Sequence, residues 1–243
     1  MIPLIDGLLG DRATGHEWID DNDTVSDLLA RNLAEIRRIN RWLGGYALSL
    51  RALDTLVADQ QSRRDELKVL DVGTGSADFP EAFDKWFAAR GLRGRVIAVD
   101  LSVPVLELAA RRLRRSPLQN SLAVADGLAL PFADRAFDVA HCSFLLHHLE
   151  PDAAVDLLRE MARVASRAIV VNDLTRGITG YLGSLVACRL LSTNPLTRHD
   201  GPLSVLRAYT RSELLDLARN AHLGRVRIRG CLGYRMTMTA DVR

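Results

Sequence analysis

Short apolar runs alternate with helical segments from residue 68 to residue 174, and this alternation constrains the fold more than any other feature. The runs predict five buried strands: KVLDVG (68–73), RVIAVD (95–100), SLAVAD (121–126), FDVAHCSF (137–144) and AIVVNDL (168–174). Helical segments such as PEAFDKWFAARG and PDAAVDLLREMARV separate them. Strands joined in this way are typically parallel, with right-handed crossovers and helices on both faces of the sheet. We therefore expect an α/β doubly wound fold.

The end of the chain follows a different pattern. Thr210 and Glu213 have the spacing of a capping box, which predicts the start of a helix. Two alternating runs follow, RVRIRG (225–230) and YRMTMTA (234–240), and the short connection between them contains Gly233. This pattern predicts a β-hairpin, so the parallel sheet is expected to end in antiparallel pairing.

The first part of the chain is helical in pattern. Apolar residues recur at spacings of three and four from residue 25 to residue 60, and Gly44-Gly45 interrupts them. The polar stretch 58–66 reads as a linker. We therefore expect a helical cap at 1–66 and a core at 67–243. The unusually long connection 175–209 is expected to be a lid or binding loop of that core.

Composition excludes several classes of protein. Lys+Arg 32 against Asp+Glu 30 gives a net charge of +2, too balanced for a dedicated nucleic-acid binder. The three cysteines, Cys142, Cys188 and Cys231, form no CxxC pair, so neither a disulfide framework nor a metal site is expected. The N-terminal stretch lacks the pattern of a signal peptide, and the longest apolar segment (178–191) is shorter than the ~20 residues of a membrane span. A cytoplasmic protein without a membrane span is expected.

The segment VLDVGTGSAD (69–78) is the most informative about function. Gly73 and Gly75 follow the first strand, at the edge of a doubly wound sheet where ligands bind. Dinucleotide-binding proteins also use a G-x-G turn, but their third glycine is replaced here by Asp78. Asp71 would in addition repel a diphosphate and attract a cationic ligand. These two acids argue against a dinucleotide oxidoreductase.

Acids also follow the next two strands. Asp100 ends the second strand and Asp126 the third, so with Asp71 they form a row along one edge of the sheet. Asp100 is placed to accept hydrogen bonds from ribose hydroxyls, and Asp126 to accept one from an adenine amine. The row predicts a cationic ligand that contains adenosine and no phosphate.

The set VLDVGTG, VIAVD, LAVADG and FDVAHCSFLLHHL resembles the class I S-adenosylmethionine-dependent methyltransferases over residues 68–240. The resemblance implies a Rossmann-like sheet of seven strands whose last strand is antiparallel. It implies S-adenosylmethionine as the cofactor, with Asp100 and Leu101 at the ribose and adenine. The other cofactor-binding residues that it implies are Asp71, Gly73, Thr74 and Gly75 around the methionine, Asp126 and Gly127 beside the adenine, and His141 and Cys142 near the sulfonium.

Two histidines are candidates for a catalytic base. His148 follows the fourth strand, and His199 lies beside Asp200 in the long connection. Histidine suits proton transfer near neutral pH. Structural roles, including a loop salt bridge for His199, remain open. Asn172 and Asp173, at the end of the fifth strand, either orient an acceptor or cap the strand.

The sequence thus predicts methyl transfer from S-adenosylmethionine to a small molecule. We expect a hydroxyl of a phenolic or similar apolar metabolite as the acceptor, because 178–191 could line an apolar pocket. That segment could equally be a core or dimer helix, and a homodimer remains open. Alternatives are carbon methylation of a quinone precursor and a non-catalytic cofactor-binding factor. Methylation of RNA lacks support from a basic domain or a base-flipping motif.

Overall fold

The computed structural model describes residues 10–21, 26–58, 66–231 and 233–242. A seven-stranded sheet organises it: β1 (Leu67–Val72), β2 (Gly94–Asp100), β3 (Leu122–Val124), β4 (Phe137–Ser143), β5 (Ala165–Leu174), β6 (Val226–Cys231) and β7 (Arg235–Asp241). The strand order is β3-β2-β1-β4-β5-β7-β6. Only β7 runs antiparallel to its neighbours β5 and β6. The predicted α/β doubly wound, Rossmann-like sheet is confirmed.

Eight α-helices surround the sheet within the described residues: α1 (Asp27–Trp42), α2 (Gly45–Ala58), α3 (Asp78–Arg90), α4 (Val103–Arg112), α5 (Pro151–Val164), α6 (Ile178–Leu191), α7 (Pro195–Arg207) and α8 (Arg211–Asn220). Local sequence explains several of their ends. The Ser26 and Ser102 side chains cap α1 and α4, and Thr210 and Glu213 form the predicted capping box. Gly91 ends α3 with a φ of 61°.

The core lies on both faces of the sheet. Leu157, Met161 and Leu214 from α5 and α8 are buried on one face, together with Leu70 and Val171 of the strands. The other face is more aromatic: Phe79, Phe83, Trp86 and Phe87 of α3 pack there with Leu53 of α2. Both faces of the central strands are therefore covered, which explains their continuous apolar pattern.

The structure gives more detail on one part of the predicted organisation, and other parts lie outside the described residues. The connection 175–209 contains two helices, α6 and α7, and Asn194 caps the second; its expected role as a lid or binding loop stays a prediction. Most of the predicted linker, residues 59–65, and the start of the N-terminal stretch, residues 1–9, lie outside the described residues. None of the helices in the described part is long and apolar enough to span a bilayer.

Candidate functional site

The glycine turn after β1 has a left-handed backbone. Gly73 and Gly75 have φ angles of 65° and 56°, which glycine adopts without steric cost. A Cβ atom at Gly73 would lie 2.9 Å from both δ-carbons of Leu145. The Thr74 N–H donates to Val99 O at 2.9 Å. The turn is thus held against β2, and a side chain at Gly73 would require Leu145 to move.

Arg112, on α4, stabilises the far side of this turn. Its Nε donates to Ser76 O and its guanidinium NH2 group to Ala77 O, both at 2.9 Å, and it also pairs with Glu81. Ala77 has a φ of 56°, so these bonds support a backbone that disfavours non-glycine residues. This role could not be predicted from the sequence, because Arg112 lies in the run RRLRR, which resembles a solvated helix face.

Asp100 connects the turn to β2. Its Oδ2 accepts the Gly75 N–H at 2.9 Å, and its Oδ1 accepts the Ser102 N–H at 3.0 Å. Burial raises the pKa of Asp100 above its usual value, although these two N–H donors oppose the shift. The next side chain, Leu101, is exposed, so an apolar surface lies beside the carboxylate.

Asp71 is bonded within the protein rather than turned toward the cleft. Its Oδ2 accepts the Thr74 hydroxyl at 2.6 Å, and its Oδ1 pairs with His141 Nδ1 at 2.6 Å. The side chain is only 2% exposed. Asp71 therefore positions Thr74 in the turn, and its predicted place beside the methionine part of the cofactor stays a prediction.

The side chains of His141 and Cys142 lie in different environments. His141 is buried beside Phe79 and Phe83, and its Nε2 lies 2.8 Å from the Ser49 hydroxyl of α2. Cys142 is completely buried in the core that α5 covers, and burial raises the pKa of its thiol well above the usual value. Their predicted proximity to the sulfonium stays a prediction.

Asp126 and Gly127 lie at the start of the loop that joins β3 to β4. Asp126 is exposed, and its Oδ1 accepts the Leu128 N–H at 2.9 Å. A Cβ atom at Gly127 would lie 3.0 Å from side-chain atoms of Leu157 and Val72. The exposed carboxylate can still accept further hydrogen bonds, so its predicted role beside an adenine stays a prediction.

Asp78 opens α3 and lies in a cluster of donors. Asn40 Nδ2 and the Tyr46 hydroxyl each donate to its Oδ2 at 2.9 Å, and the Ser76 hydroxyl donates to its Oδ1. A carboxylate at the N-terminus of a helix already interacts with the helix dipole. A diphosphate bound there would meet a negative charge, so the turn does not suit a dinucleotide.

Buried polar side chains join the cap helices to the sheet. Arg235, at the start of β7, donates to Asn172 Oδ1, Asn40 Oδ1 and Ser143 Oγ at 2.6, 2.8 and 2.9 Å. Asn172 donates in turn to Gly45 O and to the Ser49 hydroxyl. Asn172 therefore ties α2 to the sheet. Arg235 was missed because its partners are distant in sequence.

His148 belongs to a second, mostly buried cluster that includes His147, Glu17, Asp20 and Asp173. His147 Nδ1 lies 2.6 Å from Asp173 Oδ1, and His148 Nδ1 lies 3.0 Å from Asp20 Oδ1. Burial lowers the pKa of His148, but the Asp20 hydrogen bond and the Glu17 charge raise it more, so the net shift is upward. Sequence analysis identified His148 but not Glu17.

His199 lies in α7 rather than in a loop. Its ring stacks on Trp18 with the centroids 3.9 Å apart, and its Nδ1 lies 2.7 Å from Asp200 Oδ1. Asp200 also accepts the N–H groups of Trp18 and Ile19 at 2.9 and 3.0 Å. These contacts fasten the N-terminal segment to α7. A catalytic role of His199 stays a prediction, and the contacts shown here are structural.

Comparison with known proteins agrees with this geometry. A protein family described as a methyltransferase domain matches residues 69–167. A demethylmenaquinone methyltransferase from a Roseiflexus species is 35% identical over 99 residues, covering 40% of this chain and 38% of the relative. A ubiquinone/menaquinone biosynthesis C-methyltransferase from Burkholderia vietnamiensis is 30% identical over 122 residues, covering 50% of this chain and 49% of the relative. The chain thus spans half or less of the length of these relatives.

Solved structures share the fold. A SAM-dependent methyltransferase from Aquifex aeolicus superimposes with a TM-score of 0.59 at 18% identity, covering 87% of this chain and 98% of that one. A magnesium protoporphyrin IX methyltransferase from Synechocystis with bound SAH gives a TM-score of 0.54 at 17% identity, covering 82% and 84%. At such identities the likeness concerns the fold alone.

The residues around the glycine turn fit S-adenosylmethionine as a ligand. The glycine turn allows close approach of a ligand, Asp100 offers carboxylate oxygens beside the exposed Leu101, and Asp78 disfavours a diphosphate. This chain therefore contains a methyltransferase domain over residues 69–167, in a fold shared with solved S-adenosylmethionine-dependent methyltransferases.

Proposed function

We propose that the chain transfers a methyl group from S-adenosylmethionine to a hydroxyl of a small apolar molecule. One observation carries the proposal: the left-handed turn at Gly73 and Gly75 is bonded to Asp100 of the neighbouring strand, while Asp78 occupies the start of α3. This arrangement favours a cationic nucleoside over a pyrophosphate, because carboxylates stabilise the first and repel the second.

The residues of the turn would hold the cofactor rather than react with it. Asp100 would accept the ribose hydroxyls with its remaining lone pairs, and Leu101 would lie against the adenine. When bound, S-adenosylmethionine supplies an activated methyl group on a positively charged sulfur. The chain's own contribution is to align the acceptor and to exclude water. Leu33 of α1 lies close to Gly75, which supports the cap helices as the covering element.

A hydroxyl acceptor must lose its proton during transfer. His148 is the better placed of the two predicted bases, because it lies in the short helical turn Leu146–His148 that follows β4, near the carboxyl edge of the sheet. Histidine can accept a proton near neutral pH. His199 has its ring covered by Trp18 and its Nδ1 paired with Asp200, so we propose a positioning role for it.

The proposal for an apolar acceptor is based on the apolar side chains of α6. In α6, the side chains of Leu182, Val186 and Leu190 are exposed, and Gly180 and Cys188 are buried. An exposed apolar face supports contact with an apolar acceptor or a second subunit. The described cysteines Cys142 and Cys188 are free thiols, which supports the proposed cytoplasmic location.

Carbon methylation of a quinone precursor is the second candidate. The observation that favours it is the match to relatives named as quinone-biosynthesis methyltransferases. A panel of phenols and reduced quinones, incubated with the purified chain and S-adenosylmethionine, separates the two. Methyl groups located on oxygen by NMR support the first proposal, and methyl groups on ring carbon support the second.

Binding must be tested together with turnover. Calorimetry with S-adenosylmethionine and with NAD is expected to show binding of the first only. Tight NAD binding would contradict the proposal. Binding of S-adenosylmethionine without transfer to any acceptor, but with activation of a partner protein, would instead indicate a non-catalytic cofactor-binding factor.

A further inference from the structure

Three potential metal ligands meet outside the cofactor turn. Glu17 Oε1 lies 3.9 Å from His147 Nε2, and Glu17 Oε2 lies 3.9 Å from His148 Nε2. One ligand atom from each of the three residues lies within 4.8 Å of the others. Ligands about 2.1 Å from a tetrahedral zinc ion lie roughly 3.4 Å apart. The 3.9 Å separations would have to close by about 0.5 Å, and the widest by up to about 1.4 Å, for these atoms to coordinate one ion.

The outer hydrogen bonds orient both rings toward Glu17. His147 Nδ1 lies 2.6 Å from Asp173 Oδ1, and His148 Nδ1 lies 3.0 Å from Asp20 Oδ1. A carboxylate only accepts hydrogen bonds, so each Nδ1 must donate, and a neutral ring then presents its Nε2 lone pair to Glu17. Carboxylate–histidine pairs of this kind fix the tautomer of metal-binding histidines.

The Glu17 carboxylate is buried, and one of its oxygens lacks a hydrogen bond within the described residues. It is 1% exposed, and within the described part of the chain its Oε1 accepts no hydrogen bond. Its Oε2 accepts the Ser204 hydroxyl at 2.6 Å. A buried carboxylate oxygen without a hydrogen bond is costly, and a cation between it and the two imidazoles would remove that cost.

The charges around the cluster favour binding of a divalent cation. Arg207 Nε lies 3.7 Å from Glu17 Oε1, but the guanidinium donates its hydrogen bonds to the carbonyl oxygens of His147, Gly15 and His148. Arg207 lies near the carboxylates of Glu17 and Asp20, and Asp173 lies beside His147. A second guanidinium, that of Arg12, donates to His147 O and pairs with Glu150. With neutral imidazoles, the cluster therefore carries excess negative charge.

From this geometry we infer that Glu17, His147 and His148 form a binding site for a divalent first-row transition metal such as Zn²⁺ or Fe²⁺. Two imidazoles and one carboxylate suit these ions and leave further coordination positions open. His148, with its side chain 20% exposed, provides the route from solvent. The ligand set shares no residue with the glycine turn, but it includes His148, so a metal bound there would compete with the proposed role of His148 as a base.

The test uses the full chain and the metal alone. After dialysis against a chelator, the chain is titrated with Zn²⁺ by calorimetry, and bound Co²⁺ is followed by its visible absorbance. One metal per chain is expected. Glu17→Gln and His148→Asn are each expected to abolish stoichiometric binding, and Asp20→Asn to weaken it roughly 10- to 100-fold through the orientation of His148.

Two control variants separate this site from adventitious binding. His16→Asn and His199→Asn remove other histidines that pair with Asp21 and Asp200, and both should bind the metal like the unmodified chain. Circular dichroism checks that each variant is folded. If Glu17→Gln does not fold, metal binding by His148→Asn, at a partly exposed position, decides the test. Absence of stoichiometric binding, or a loss caused by the controls rather than by His148→Asn, would overturn the inference. In that case hydrogen bonds and bound protons stabilise the polar atoms of the cluster without a metal ion. Because no methyl acceptor is involved, this result is separate from the outcome for transferase activity.

Discussion

The Asp100 carboxylate accepts the Gly75 N–H at 2.9 Å and so joins the glycine turn to the end of β2. Its other oxygen accepts the Ser102 N–H, which lies just before α4. One side chain therefore sets the position of the turn and the direction of the chain after the strand. Ligand binding and local structure are coupled at this residue.

Replacing Asp100 by asparagine is expected to weaken S-adenosylmethionine binding about 10- to 100-fold. A hydrogen bond to a charged group contributes about 1.5–3 kcal/mol, and the amide loses the charge and one acceptor oxygen. Calorimetry measures the change. Asp152→Asn, at an exposed position in α5, is the control and should bind normally. Unchanged affinity of Asp100→Asn would exclude the ribose contact.

Arg112→Met is expected to lower the free energy of unfolding by about 1–3 kcal/mol, because Ser76 O and Ala77 O lose a charged donor. The neighbouring Arg111 provides a matched control. Its guanidinium is exposed and, among the described residues, pairs with Glu107 of the same helix, so Arg111→Met should lower the free energy of unfolding by less than about 0.5 kcal/mol. Urea unfolding of both variants makes the comparison. Equal effects would show that Arg112 does not support the turn.

Gly73→Ala is expected to destabilise the chain more than Gly75→Ala. Both positions have positive φ angles, which cost about 1 kcal/mol for alanine, but only at Gly73 would the Cβ also meet Leu145, at 2.9 Å. Gly183 lies in α6 with open space around it, so Gly183→Ala should stabilise by about 0.5–1 kcal/mol. Thermal unfolding measures all three. A smaller loss at Gly73 than at Gly75 would contradict the close contact.

Stability is expected to fall in acid through Glu213. Burial raises the pKa of Glu213, but the hydrogen bonds from Arg176 and Thr210 outweigh burial and hold it below its usual value. A lowered folded-state pKa contributes stability above the unfolded value of about 4.3, and this stability is lost as the pH falls through the folded value.

The measurement compares Tm from pH 7 to pH 3 for the unmodified chain and Glu213→Gln. The variant should be less stable at pH 7, and the difference should shrink toward pH 3. Asp216→Asn, on the same helix, is the control for a general charge effect. A difference that is constant with pH would show that the Arg176 pair does not depend on ionised Glu213.

Local patterns predicted much of this fold. The apolar runs, the break at Gly44-Gly45 and the capping box at Thr210 each act over a few residues, and each corresponds to an observed strand, helix end or cap. In the connection 175–209, the apolar segment 178–191 forms α6, one of the structures that the sequence allowed. The following helix, α7, was not predicted, because it lacks a strong amphipathic pattern and contains Gly201 and Pro202.

The candidate site was only partly predictable. Asp100 and the two glycines follow strand ends, so their order along the sheet edge was visible in the sequence. The bonding of Asp71 to His141 was not, because it depends on the pairing of β1 with β4 across 70 residues.

The sequence by itself determined the strands, the glycine turn and the class of ligand, since strand periodicity, positive φ angles and acids at strand ends are local properties. Only the tertiary structure decided which distant polar groups meet. Arg235 reaches Asn40 across 195 residues, and Glu17 reaches His147 from the N-terminal segment. The physical reason is that a buried charge must find partners wherever packing brings them, and packing depends on the whole chain.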